Sequence, residues 1–459
     1  MVKPAFIDKL KEIAGPGNVL VDKESLVCYS FDATKYASLP DVVVKPRAAE
    51  QVARIVSLCC EESVPVTPRG AGTGLSGGSV PAKGGLVLST ERMNAPAAIQ
   101  KEDLYAVVEP GVATEALQKQ VESRGLFYPP DPASASACTI GGNVAECAGG
   151  LRGLKYGTTK RYVLGLELVT PEGKVIRSGA RTVKSVAGYD VTRLMVGSEG
   201  TLGIITSITL RLLPLPAARK VFWCRFDGIA AASEAVADLI GAGLVPSGLE
   251  VMDEKTVEAA GAYVGHGLGT GVLLLGQFDG TESVAGGDAS KAMEILKAKH
   301  GRDVETDDLG GETAEDLWKA RRSVLPALAR LSPTVILEDV TVPRSRLPEM
   351  VERIGKISGR YGLRIAVFGH AGDGNLHPSF LADRKDHDEM KRVRVGISEM
   401  MRACIDLGGT ISGEHGIGMD KMPYVKLELG EAGCDIMRRL KTSLDPKGIM
   451  NPGKMFDEA

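Results

Sequence analysis

The eight cysteines, at positions 28, 59, 60, 138, 147, 224, 404 and 434, form no C-x-x-C pair. That argues against an iron–sulfur cluster or a cysteine zinc site in this chain, and no C-x-x-C-H haem attachment occurs either. No apolar run approaches the ~20 residues that a membrane helix needs. Cations do not outnumber anions: the formal net charge is −3, where a nucleic-acid partner would want a basic face. Histidine is missing from residues 1–265, the first being His266. The opening MVKPAFIDKLKEIAG reads as an amphipathic helix start of mixed charge, not a signal peptide. With no export signal, scattered cysteines are read as reduced and the chain as cytoplasmic.

What is present is glycine, 56 residues of it, concentrated in a few places. A hydrophobic content of 44% and a charged content of 25% are those of a soluble globular protein, and 459 residues should divide into two or three domains. The densest cluster is PRGAGTGLSGGSV, residues 68–80. Glycine there allows positive φ and close approach of backbone to a ligand, and successive amides can point at one anion. Thr73, Ser76 and Ser79 add hydroxyls and Arg69 a cation, so the stretch reads as a diphosphate cradle.

Gly72, Gly74 and Gly77 spell G-x-G-x-x-G, which marks a dinucleotide fold only between a strand and a helix. A strand precedes it at Val64–Thr67, but Gly78-Ser79-Val80-Pro81 leaves no room for a helix to follow. The reading is therefore strand–loop–strand, and without Gly-Lys-Ser/Thr it is no Walker loop. The alternative is a flexible surface loop. A second cluster, YPPDPASASACTIGGNVAECAGG from Tyr128, offers small residues that could lie against a flat ring system, or pack loops together. Thr114 is expected to cap a helix over 115–124, and Pro171-Glu172-Gly173 to close a hairpin.

Pro214 and Pro216 mark a boundary, after which strands alternate with longer helices. Strands are expected at 221–226, 249–252, 272–278, 335–340 and 364–368. Helices are expected near 229–242, 284–299, 312–331 and 346–359. This predicts an α+β second domain with an antiparallel sheet. Its last strand leads into His370-Ala371-Gly372-Asp373-Gly374-Asn375-Leu376-His377-Pro378, read as a loop, and Ser412-Gly413-Glu414-His415-Gly416 follows. Two histidines and a glutamate are a common divalent-metal set that leaves positions open for substrate, against the alternative of satisfied polar loop residues.

With these residues in view, the chain resembles the FAD-linked D-2-hydroxyacid dehydrogenases, the group of D-lactate dehydrogenase and the glycolate oxidase flavoprotein. The resemblance rests on PRGAGTGLSGG, TIGGNVAECAGGLRGLKYGTT, VGSEGTLGIIT, GHAGDGNLHP, GEHGIG and DPKGIMNPGK. It covers nearly the whole chain, residues 217–310 being least distinctive. It implies an α+β fold: a two-lobed FAD-binding domain of the vanillyl-alcohol-oxidase (PCMH) type over residues 1–216. A substrate-capping and metal-site domain follows over 217–415, and 416–459 returns to the FAD domain.

The resemblance also implies roles. Arg69, Gly70, Ala71, Gly72, Thr73, Gly74, Leu75, Ser76, Gly77 and Gly78 would hold the FAD diphosphate. Pro129, Thr139, Gly142, Gly149, Gly203 and Ile204 would line the rest of the cofactor. His370, His377 and Glu414 would bind a divalent metal (Zn, Mn or Fe) that polarises the substrate hydroxyl. His415 would take the hydroxyl proton, and Asn375 would be a further polar contact. Arg321 would grip the carboxylate, with the adjacent Arg322 as the alternative.

Some flavoproteins of this fold tether FAD through a histidine of the FAD domain, and residues 1–265 have none, so non-covalent FAD is expected. Relatives selective for 2-hydroxyglutarate carry a lysine near the Asp-x-Ser/Thr-x-Pro segment. Ile336–Pro343 here has none, which favours D-lactate or glycolate. The resemblance implies an external electron acceptor, an iron–sulfur or electron-transferring flavoprotein partner through which the enzyme could sit at the inner membrane, and it leaves room for a homodimer. The rivals are a non-catalytic FAD-binding subunit, which should lack both histidine loops, and a flavin-free metallohydrolase, which leaves the glycine loops unexplained.

Overall fold

The computed structural model describes residues 2–265 and 267–456. The chain divides into two compact units. The first comprises Met1–Gly149, Thr158–Leu215 and Glu414–Ala459; the second comprises Gly150–Gly157 and Pro216–Gly413.

In the first unit, Val52, Ile55, Val56 and Cys59 recur at helical spacing, and all four are buried on the helix Ala49–Glu62. That face packs with Phe6, Leu10, Val42, Val44, Leu86 and Leu88 into one core. The underlying sheet runs Val19–Leu20, Val42–Val44, Leu86–Ser89, Val66–Arg69, with the last three strands parallel. The strand Leu86–Ser89 therefore enters between two strands that precede it in sequence. A second sheet is antiparallel: Ala98–Gln100, Tyr105–Val108, Ile204–Arg211, Val163–Val169, Val175–Gly179. The Pro171-Glu172-Gly173 turn joins its last two strands as a hairpin. The C-terminal residues return to this unit, where Val66 N–H donates to Ile449 O and Asn451 N–H to Val66 O.

The second unit is built on an antiparallel sheet. Its order is Arg302–Asp308, Ala218–Phe226, Val272–Gly280, Gly248–Met252, Arg364–His370, Asn375–Ala382, Thr334–Leu337, with Val340–Thr341 also pairing to Asn375–Ala382. The central VLLLGQFD run is buried on both faces, whereas the edge strand RDVETDD is largely exposed and charged. Charge on an edge discourages pairing with another chain. The segment Gly150–Gly157 lies inside the span 1–216 expected for the FAD domain, yet packs in this unit. Lys155 Nζ reaches Asp279 Oδ1 at 2.5 Å and Tyr156 Oη reaches Asp279 Oδ2 at 2.9 Å.

Several local expectations need correction. The helix expected over 312–331 is two, Glu312–Arg322 and Val324–Leu328. Pro326 lacks the N–H that would bond to Arg322 and its ring clashes there, so the helix stops and restarts. Thr114 is the first helical residue and Ala113 the N-cap; the Thr114 hydroxyl instead bonds Cys138 O and Asn143 Nδ2. His370 to Pro378 is not one loop. His370 ends a strand, Ala371–Asp373 form a single 3₁₀ turn, and Asn375 begins the return strand.

Candidate active site

No helix follows the glycine stretch in the first unit; residues 70–85 run as loop from Arg69 to the strand Leu86–Ser89. The amides of Ala71, Gly72, Thr73, Gly74 and Leu75 donate to no protein acceptor among the described residues. Successive undirected amides of this kind suit an anionic ligand. Gly72 has φ +71°, and a Cβ there would run into the Arg69 guanidinium. Arg69 itself is not a cation at the mouth. It is buried, and its Nη1 donates to Phe31 O at 2.7 Å and Ser79 Oγ at 3.3 Å, which pins the loop. A cavity of about 300 Å³ opens beside it, lined by Tyr29, Arg69, Gly70, Ala71, Glu91 and Thr139.

The second glycine cluster is partly helical. Thr139 caps the helix Ile140–Glu146 by accepting from Gly142 N at 3.3 Å. Pro129, Gly203 and Ile204 are buried, Ile204 opening the strand Ile204–Arg211. A Cβ on Gly149 would stand 2.6 Å from Glu414 Oε2, so that position takes glycine. Leu75, Ser76, Gly77 and Gly78 complete the loop, the last three of them buried. The donor set fits FAD: free amides, hydroxyls and close-approach glycines.

Two buried carboxylates in this unit escaped sequence reasoning. Glu199, in the GSEGTLG run, accepts from Ile417 N and Gly418 N, both at 2.7 Å, and so fixes the backbone just after His415. Burial pushes its carboxyl up, although those two amides pull the other way. Glu146 is pushed well above the usual carboxylate range by burial and then by the charge of Glu199.

In the second unit the hairpin register places Phe368 opposite His377 and His370 opposite Asn375. Alternation along each strand then puts all four side chains on one face. The His370 and His377 rings meet edge to face with centroids 5.1 Å apart, and Phe368 lies 5.4 Å from His377. Both histidines and Asn375 are buried, and Asn375 Oδ1 has no partner.

The strand Gly248–Met252 lies alongside, with Val251 opposite Gly369, which brings Glu250 next to His370. Glu250 Oε1 is 2.7 Å from His370 Nδ1, and Oε2 accepts from Arg321 Nε at 2.8 Å. Burial raises the Glu250 carboxyl, but its close contacts with His370 and Arg321 more than offset this and hold it below its ordinary value. Glu250 is a lone charge within an apolar strand, which is the one signal that could have flagged it.

Arg321 and Arg322 part company in the structure. Arg321 is buried with its guanidinium 4.8 Å from the Phe368 ring centroid, while Arg322 is exposed and lies over Trp318.

Glu414 is bonded to Gly413, the last residue of the second unit, and Gly413 lies against Thr341 and Asn375. One ligand atom each from His370, His377 and Glu414 fall within 4.8 Å of one another. Imidazole and carboxylate in that grouping fit a divalent ion of the zinc, manganese or iron type. His415 follows, half-buried.

The fold is shared with p-cresol methylhydroxylase. A solved structure of that protein with substrate bound superposes with a TM-score of 0.82 at 19% identity, covering 99% of this chain and 96% of that one. It is the PCMH-type FAD-binding fold with an α+β second domain. A model of the FAD binding domain matches residues 40–179, and one of the C-terminal domain of FAD linked oxidases matches 215–455. The glycolate oxidase subunit GlcD of Bacillus subtilis is 47% identical over 99% of this chain and 97% of its own. The D-lactate dehydrogenase of Anaerostipes hadrus is 36% identical over 99% and 98%. The chain belongs to the FAD-linked D-2-hydroxyacid dehydrogenase family, flavoprotein oxidoreductases that act on a CH–OH group. Among the described residues, no helix is long and apolar enough to cross a membrane.

Proposed function

We propose that the protein oxidises a small D-2-hydroxy acid, D-lactate or glycolate, to the 2-oxo acid. The observation that carries this is the grouping of His370, His377 and Glu414, with the buried Arg321 packed over Phe368 on the face that carries both histidines. The names of the relatives support the substrate class. The absence of lysine from Ile336–Pro343 favours a monocarboxylate over 2-hydroxyglutarate. A non-catalytic FAD subunit would have no use for the buried histidine pair.

When bound, FAD supplies a hydride acceptor and a divalent ion supplies a Lewis acid for the substrate hydroxyl. The amides and hydroxyls of residues 70–78 would hold the FAD diphosphate, while Pro129, Thr139, Gly142, Gly149, Gly203 and Ile204 would line the remainder. His370, His377 and Glu414 would hold the ion. Arg321 spends two of its five N–H donors on Glu250, and the remaining ones bind the substrate carboxylate. Asn375 adds a polar contact. His415 would take the hydroxyl proton in the oxidation for which FAD would supply the hydride acceptor.

The electrons would need an external acceptor, since the sequence has no cysteine spacing for a cluster of its own. An iron–sulfur or electron-transferring flavoprotein partner meets that need, at the inner membrane or in the cytoplasm. A homodimer is compatible with this arrangement. Dye-linked turnover with a panel of D- and L-2-hydroxy acids tests the reading. D-lactate or glycolate should reduce artificial dyes much faster than NAD⁺ or oxygen. No turnover with any 2-hydroxy acid would overturn it, and rapid hydrogen peroxide formation would overturn the external acceptor.

A further inference from the structure

Glu250 is 1% exposed, and both of its oxygens are committed. Oε1 faces His370 Nδ1 at 2.7 Å, and Oε2 takes Nε and Nη2 of Arg321 at 2.8 and 2.5 Å. All three side chains belong to the second unit. A carboxylate this deep is costly unless paired, and it is anchored on a strand with sheet neighbours on both sides.

We propose that Glu250 is a positioning residue that sets His370 and Arg321 together: it selects the ring nitrogen that His370 offers to a divalent cation and fixes the guanidinium that binds the substrate carboxylate. An ionised carboxylate only accepts, so a neutral His370 carries its proton on Nδ1 and its lone pair on Nε2. The same carboxylate holds the Arg321 plane beside Phe368. Cation binding and carboxylate recognition therefore share one support. This inference rests on the proposed roles of His370 and Arg321.

The variant Glu250→Gln separates the alternatives because an amide cannot serve both neighbours. With its oxygen toward Arg321, its NH₂ faces His370 and forces the proton onto Nε2. Flipped, it sets donor against donor at Arg321.

The experiment titrates chelator-treated, FAD-loaded enzyme with Mn²⁺ and counts free ion by electron paramagnetic resonance. In parallel, KM and kcat are measured for the 2-hydroxy acid. Glu250→Gln should bind Mn²⁺ about 10- to 100-fold more weakly than wild type and show a raised KM, with the flavin spectrum unchanged. Arg321→Lys should raise KM while leaving Mn²⁺ affinity in place, which a general loss of structure would not do.

Should Glu250→Gln fail to fold, Glu250→Asp keeps the charge but is one methylene short of spanning both partners, and it should lose affinity in the same direction. Wild-type Mn²⁺ affinity in a folded Glu250 variant would overturn the inference while the metal reading stands. If neither wild type nor His370→Ala binds the ion, the metal reading falls and this inference with it.

Discussion

Glu250 and Arg321 meet through a single oxygen: Oε2 receives both Nε and Nη2 of the guanidinium inside the second unit. A lysine in place of Arg321 offers a point charge without the planar fork. Arg321→Lys should raise KM for the 2-hydroxy acid about ten- to a hundredfold, matching the roughly 1.5–3 kcal/mol of hydrogen bonds to a charged group. Arg321→Ala leaves Glu250 buried beside one partner instead of two, and should destabilise the protein by about 3–5 kcal/mol. Steady-state kinetics and urea unfolding check the two; an unchanged KM in Arg321→Lys would place the carboxylate elsewhere.

His370→Ala or His377→Ala should remove the bound divalent ion and most turnover. The flavin should remain bound, because its loops lie in the other unit. Chelation of the wild type should have the same effect and added Mn²⁺ or Zn²⁺ should reverse it. Full activity in a preparation shown by elemental analysis to be metal-free would contradict the site.

The buried Glu146 gives a pH signature. Its carboxyl is raised in the folded state by burial and by Glu199, so its stability contribution is complete below the unfolded carboxylate range. That contribution is lost as pH rises through the folded value. Glu146→Gln removes the titration, and its melting temperature should exceed that of the wild type at pH 8 with the gap closing toward pH 4. A gap constant across that range would mean that the carboxyl is not raised.

FAD should be released by acid precipitation, since histidine is absent from residues 1–265. Flavin retained on the washed pellet would point to a cysteine or tyrosine link.

Patterns of period and punctuation made much of this fold readable. Val52, Ile55, Val56 and Cys59 declared a helix face, and Pro171-Glu172-Gly173 a hairpin. The strand–loop–strand reading of residues 64–88 followed from the missing helix after Gly78, and the histidine–glutamate grouping from its residue types alone. The His370–Pro378 stretch misled because its glycines and aspartate signal a loop, yet Asn375 to Leu381 pairs in register with Arg364 to His370. Long-range pairing overrode local signals there. Glu250, Glu199 and Glu146 were hidden for a different reason. A buried carboxylate is defined by what the fold brings to it, and the partners of Glu199 and Glu250 lie 71 or more residues away.

The central claim is tested most directly by anaerobic mixing of the purified flavoprotein with D-lactate or glycolate while the oxidised flavin absorbance is followed. The flavin should bleach in a single turnover with at least one of the two, and His415→Ala should slow that step by about 10² to 10⁴. Flavin that stays oxidised in the presence of both acids, in enzyme replete with FAD and divalent metal, would contradict the account.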